Sequence, residues 1–168
     1  MSKKNSRHIP LSGTYNIRDL GGYKTYTGAR IPWQTFFRGD NPHLLSVKGM
    51  NYLYSQGLRL VVDLRTKNEI KELNSKFLNK DQPTNVLSFP SNELDFDERL
   101  LGDIAICPEI ISNEADDQNK DRQNHLFHII LHSLLHLAGY DHQEDTSAEK
   151  MESIEIEALK KLGIANPY

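Results

Sequence analysis

The sequence predicts an α+β fold in a single domain: a small mixed sheet covered by helices. Three observations lead there. LRLVVDL (58–64), TNVLSF (84–89) and LLGDIAIC (100–107) are short β-branched or aliphatic runs of the kind that form strands. Around them, apolar residues recur at spacings of three and four, the period of an amphipathic helix. At 168 residues the chain can bury one core but is short for two.

Taken in order, residues 1–12 read as a mobile arm, and YNIRDLGGYKTYTGARI as a loop and hairpin because of Gly21-Gly22 and Gly28. Trp33–Phe37 is a short strand closed by the turn residues Gly39-Asp40-Asn41-Pro42. A helix runs from Ser46 to Gly57, burying Leu45, Met50, Leu53 and Tyr54. After the strand at 58–64, Asn68–Leu78 is a helix packed through Ile70, Leu73 and Phe77. Pro90 ends the next strand, a polar acidic loop covers 91–99, and Pro108 opens a helix where no amide hydrogen is needed. The longest apolar helix spans Arg122–Ala138 and stops at Gly139. The last begins with the capping-box pattern Thr146-Ser147-Ala148-Glu149 and packs through Met151, Ile154, Ala158 and Leu162.

Composition narrows the function classes. Apolar residues at 38% and charged residues at 26% fit a globular chain. No apolar run approaches the roughly 20 residues that span a bilayer. Cys107 is the single cysteine, so an internal disulfide is excluded, and a cytoplasmic location is expected. Residues 1–80 hold 14 Lys and Arg against 5 Asp and Glu, whereas residues 81–168 hold 6 against 18. The basic half suits a polyanion, and the two halves read equally well as neutralising one another.

The most specific signal is HSLLHLAGYDH at 132–142. His132 and His136 are one helical turn apart on one face, and Gly139 lets the chain turn so that His142 supplies a third imidazole. Three protein ligands leave an open position, as in catalytic zinc sites. A closed structural site would need a fourth ligand, for which Cys107 is the candidate. The spacing H-x-x-x-H-x-x-G-x-x-H also matches metzincin peptidases, but those carry Glu directly after the first histidine and this chain has Ser133. His125 and His128 stand upstream on the same helix as candidates to support the ligands.

The stretches NKDQPTNVLSFP, LLGDIAICPEI and HSLLHLAGYDHQEDTSAEKMESIEIEALKKLGIANPY resemble the YbeY-type endoribonucleases over residues 73–168. The resemblance implies a single Zn2+ in a cleft between the helices, held by His132, His136 and His142, with His132 at the catalytic centre. It further implies phosphodiester cleavage of single-stranded RNA by a zinc-activated water, in ribosomal RNA processing and ribosome maturation, with RNA and the ribosome as partners and neither DNA nor membrane. The family commonly has Arg-Gly where this chain has Leu78-Asn79, which leaves Lys76 and Lys80 as the candidate substrate-binding cations. A zinc-stabilised RNA- or ribosome-binding module without cleavage is the alternative.

GTYNIRDLGGYKTYTGARIPWQTFFRGDNP and GLRLVVDLRT, within residues 11–66, resemble the N-terminal part of bacterial tyrosine/serine protein phosphatases. Their catalytic loop needs an arginine six residues after a cysteine, and after Cys107 that position is Asn113, which excludes the chemistry. Arg18 and Asp19 then read as surface and turn residues. Residues 1–72 are expected to form a phosphatase-like segment whose strand, helix and strand complete the sheet, with residues 73–168 as the catalytic part.

Overall fold

The described chain runs through β1 (Arg18–Asp19), β2 (Phe37–Arg38), α1 (Val47–Ser55), β3 (Leu60–Leu64) and α2 (Lys67–Leu78). It continues through β4 (Val86–Pro90), β5 (Gly102–Ile106), α3 (Pro108–Asp117), α4 (Arg122–Leu137) and α5 (Asp145–Lys161). The computed structural model describes residues 6–41, 44–91, 100–142 and 144–168. The chain divides into two compact units, Met1–Leu58 and Arg59–Tyr168. The acidic loop expected at 91–99 lies, apart from Ser91, outside the described residues.

In the first unit, β1 and β2 pair antiparallel as a two-stranded sheet, with Arg18 opposite Arg38. The expected strand at Trp33–Phe37 is therefore shifted and short, and it joins β1 rather than the main sheet. The expected mobile arm is tied down over its described part. The Ile9 amide donates to the Ile17 carbonyl at 2.9 Å, and the Asp19 amide to the Arg7 carbonyl at 2.9 Å. Arg7 also stacks on Tyr23, 3.8 Å from the ring centre. Asp19 is buried and not merely a surface turn residue: its carboxylate accepts from the amides of Gly21 at 2.7 Å and Gln34 at 2.8 Å. Helix α1 starts where expected, the Ser46 hydroxyl accepting from the Gly49 amide.

In the second unit the sheet order is β3-β5-β4. β5 runs parallel to β3, with Val62 opposite Ile104, and antiparallel to β4, with Ser88 opposite Ile104. The sheet is thus mixed. Successive residues of a strand point to opposite faces, and Ile104, Ala105 and Ile106 of β5 are all buried because both faces are covered there. Ile104 and Ile106 pack with Ile111 of α3 and Ile129 and Leu137 of α4. Ala105 and the following Cys107 pack with Ile70 of α2 and Leu87 of β4. Gly102 starts β5 because a side chain there would meet the Phe89 carbonyl oxygen at 2.2 Å.

The helices have local causes. Thr66 and Glu69 form a capping box at the start of α2. The Asp121 carboxylate caps α4 by accepting from the amides of Gln123 and Asn124. Two expectations shift here. Phe77 is half exposed, the buried stripe of α2 running through Ile70 and Asn74 instead. The capping box of α5 is formed by Glu144 and Ser147, two residues earlier than expected, and its buried stripe is Met151, Glu155 and Leu159. Leu162, expected in the core, is exposed.

Candidate metal centre

Helix α4 carries two adjacent stripes with a four-residue step. His125, Ile129, Ser133 and Leu137 form the buried one. His128, His132 and His136 stand one residue before its last three members and form the second, partly exposed, along the side that packs on α5. The His132 and His136 ring centres are 4.6 Å apart, and their Nε2 atoms 3.0 Å.

The helix then stops as its sequence dictates. Ala138 is the cap, and Gly139 adopts φ +86°, a left-handed conformation that favours glycine. The turn carries His142 back over the helix end, its ring centre 5.3 Å from that of His132 and 5.0 Å from that of His136. One nitrogen from each of the three histidines lies within 4.8 Å of the others, a group that could hold a metal ion.

Hydrogen bonds fix how these rings present themselves. His136 Nδ1 lies 3.0 Å from the Tyr140 carbonyl oxygen, which can only accept, so this nitrogen carries the hydrogen. His132 Nδ1 lies 2.8 Å from Glu155 Oε1. Burial would raise the Glu155 carboxyl, but hydrogen bonds from His128, His132 and Tyr168 outweigh it and hold the group well below the usual carboxylate range. The carboxylate therefore accepts, and His132 donates. In the neutral rings both Nε2 atoms then carry lone pairs, facing each other at 3.0 Å. Two acceptors that close repel unless a proton or a cation lies between them. Burial, followed by the neighbouring His132, pushes His136 below its ordinary value and so disfavours a proton on His136. A cation fits this donor set. Nδ1–H bonded to a carboxylate or carbonyl, with Nε2 free, is the usual posture of a metal-ligating histidine.

The remaining candidates sort clearly. Ser133 is fully buried and its hydroxyl donates to the Ile129 carbonyl at 2.8 Å, so its position faces the sheet and not the histidines. Ser133→Ala should shift stability by about 1 kcal/mol or less and leave metal binding at the wild-type level, checked by thermal melting and metal titration. Cys107 is fully buried in the apolar cluster with Ile70 and Leu87, which removes it as a fourth ligand. His125 bonds Glu114 at 3.2 Å. Lys76, Leu78 and Lys80 are exposed at and just beyond the end of α2, and the hydrogen bonds of the histidine cluster among the described residues involve none of them. A cavity of about 470 Å³ lies beside the centre, lined by Asn85, Glu114, His125, His128 and Tyr168 among others.

Glu155 escaped the sequence reading. It belongs to a helix 23 residues further on, where acidic residues also cover the solvent face. Its available signal was its place between Met151 and Leu159 at four-residue spacing, a carboxylate in an otherwise apolar stripe.

Fold and site together define a class: α+β proteins with a three-histidine candidate metal centre built on a helix and the turn that ends it. A sequence model of the family "Endoribonuclease YbeY" matches residues 42–163, most of the chain, and the protein belongs to that family. The match begins well before residue 73 and so takes in α1, β3 and α2 as well. The curated endoribonuclease YbeY of Francisella tularensis subsp. novicida (strain U112) is 47% identical over 112 residues, covering 64% of this chain and 69% of that protein. That of Francisella tularensis subsp. tularensis (strain SCHU S4 / Schu 4) is 47% identical over the same length, covering 64% and 67%. A solution structure of a Thermotoga maritima protein is 36% identical, covers 62% of this chain and 68% of that one, and superposes with a TM-score of 0.48.

Proposed function

We propose that this chain is a zinc-dependent endoribonuclease that cuts single-stranded RNA, working in the cytoplasm on ribosomal RNA during ribosome maturation. The observation that carries the metal part is the pair of Nε2 lone pairs held 3.0 Å apart by hydrogen bonds on the far side of each ring. Membership of a family of endoribonucleases supports RNA as the substrate. No helix among the described residues is long and apolar enough to cross a membrane.

His132, His136 and His142 would hold one ion, and the exposed, turn-borne position of His142 leaves the centre accessible from solvent. A zinc ion there would supply Lewis acidity toward a phosphodiester oxygen and toward water. The protein's own part is to keep the imidazoles aimed, with the Nε2 atoms of His132 and His136 turned toward one another. His132 is central, because it touches both the other rings and the buried carboxylate. Lys76 and Lys80 offer cations to the RNA backbone. In this reading residues 73–168 form the catalytic part, and residues 1–72 contribute β3 to its sheet.

A second reading, an RNA- or ribosome-binding module that does not cut, is favoured by one observation. Leu78 is half exposed at the end of α2, where the resemblance leads one to expect arginine. A gel assay on an RNA with paired and unpaired segments, with and without chelator, separates the two. Cleavage confined to unpaired segments and lost with chelator supports the nuclease. A shifted but intact RNA supports the binding module.

A further inference from the structure

We propose that Glu155 is a positioning residue for the candidate metal centre: it fixes His132 as the Nδ1–H tautomer, and Tyr168 and His128 hold Glu155 in place to do so. The inference deepens the proposed function and rests on the histidine cluster being a metal centre.

Glu155 is fully buried between Met151 and Leu159, in a helix face whose other buried residues are apolar. An ionised carboxylate in such a place is costly, and an apolar residue of similar volume would commonly serve stability as well or better. What distinguishes Glu155 is its partners. His132 Nδ1 meets Oε1 at 2.8 Å, His128 Nε2 meets Oε2 at 3.1 Å, and the Tyr168 hydroxyl donates to Oε2. Three donors from two other parts of the chain converge on two oxygens, which leaves the carboxylate no freedom to rotate. One of those donors is a candidate ligand, and the hydrogen bond falls on the nitrogen opposite its free lone pair.

The geometry assigns a division of labour. Oε1 sets the tautomer and ring plane of His132, so that Nε2 faces His136 and His142 before any ion arrives. Oε2 takes the brace: His128, one turn earlier on α4, and Tyr168, whose ring packs edge-on against His128 with centres 5.4 Å apart. Tyr168 thereby links the segment after α5 to the centre through Glu155 and His128. The same three residues, His128, His132 and Glu155, form a second group compact enough for a metal ion. With the Tyr168 hydroxyl donating to Oε2 and both imidazoles at hydrogen-bond distance, the Glu155 carboxylate already has its partners, while His128 Nδ1 is buried without one among the described residues. His136 obtains the equivalent fixing from the Tyr140 carbonyl, so the two helical ligands are braced by different elements.

The test uses the full chain with ¹⁵N-labelled histidine. Metal-free protein is recorded by long-range ¹H–¹⁵N spectra at pH ~8, where ordinary imidazoles are neutral, and zinc affinity is measured by competition with a chelating dye. Wild type should show His132 locked as Nδ1–H. Glu155→Met, which keeps length but removes the acceptor, should give mixed tautomers at His132 and zinc affinity about 10–100-fold weaker. Glu155→Gln retains a carbonyl acceptor and should recover most of both. A carboxylate that served only packing would change melting temperature and leave the tautomer alone. An unchanged His132 tautomer and unchanged zinc affinity in Glu155→Met overturn the proposal. If that variant does not fold, Tyr168→Phe decides: weaker zinc binding supports the brace, and wild-type affinity overturns it. Should wild type bind no zinc, the metal-centre reading fails, while the metal-free spectra still decide the role of Glu155.

Discussion

Replacing His136 by Ala should abolish tight zinc binding and RNA cleavage together, while the protein still melts as a folded unit. The ring is partly exposed and contributes little to the core, so the loss would be one of chemistry and not of packing. Removing it leaves two imidazoles, one of them on the loop after α4, and an ion held by two ligands exchanges readily with solvent. The fall in affinity should exceed the tenfold to hundredfold typical of losing an outer partner of a ligand. The measurement is paired: zinc affinity and cleavage rate on the same preparation, with thermal melting as the control. Zinc binding at wild-type strength in His136→Ala would remove His136 from the ligand set.

Truncating Ile104 to Ala should destabilise the second unit by about 2–5 kcal/mol, the range for large-to-small changes at sites that cannot collapse. Ile104 is fully buried in the central strand, with neighbours opposite it in both β3 and β4. Its side chain packs in the cluster that includes Ile129 and Leu137, so the same residue seats the helix that carries His132 and His136. The expected effect is therefore double: a lower midpoint in urea with an unchanged slope, and weaker zinc binding as the sheet-facing side of α4 loses its support. A stability within about 0.5 kcal/mol of wild type would mean that the packing assigned to the centre of the sheet is wrong.

Much of this was readable from sequence where the physics is local. The i, i+4 spacing of His132 and His136 puts two rings on one helix face, and Gly139 supplies the φ that brings His142 round. The aliphatic run LLGDIAIC announced a strand, and β5 falls inside it. What was not readable depends on contacts between distant parts of the chain. Glu155 looks like one more acid in an acidic helix until His132 and Tyr168 are seen to meet it. Ser133 was weighed as the residue following the first ligand. Only the packing of α4 shows that this position faces the sheet. The short pairing of β1 with β2 also escaped the strand reading, because two-residue strands have no periodicity to detect.

The most direct test of the whole account is to measure bound zinc and RNA cleavage on one sample as the metal is removed and returned. One zinc per chain, lost to chelator in step with cleavage and restored with it on adding zinc back, is the predicted result. Undiminished cleavage by metal-free protein would contradict it.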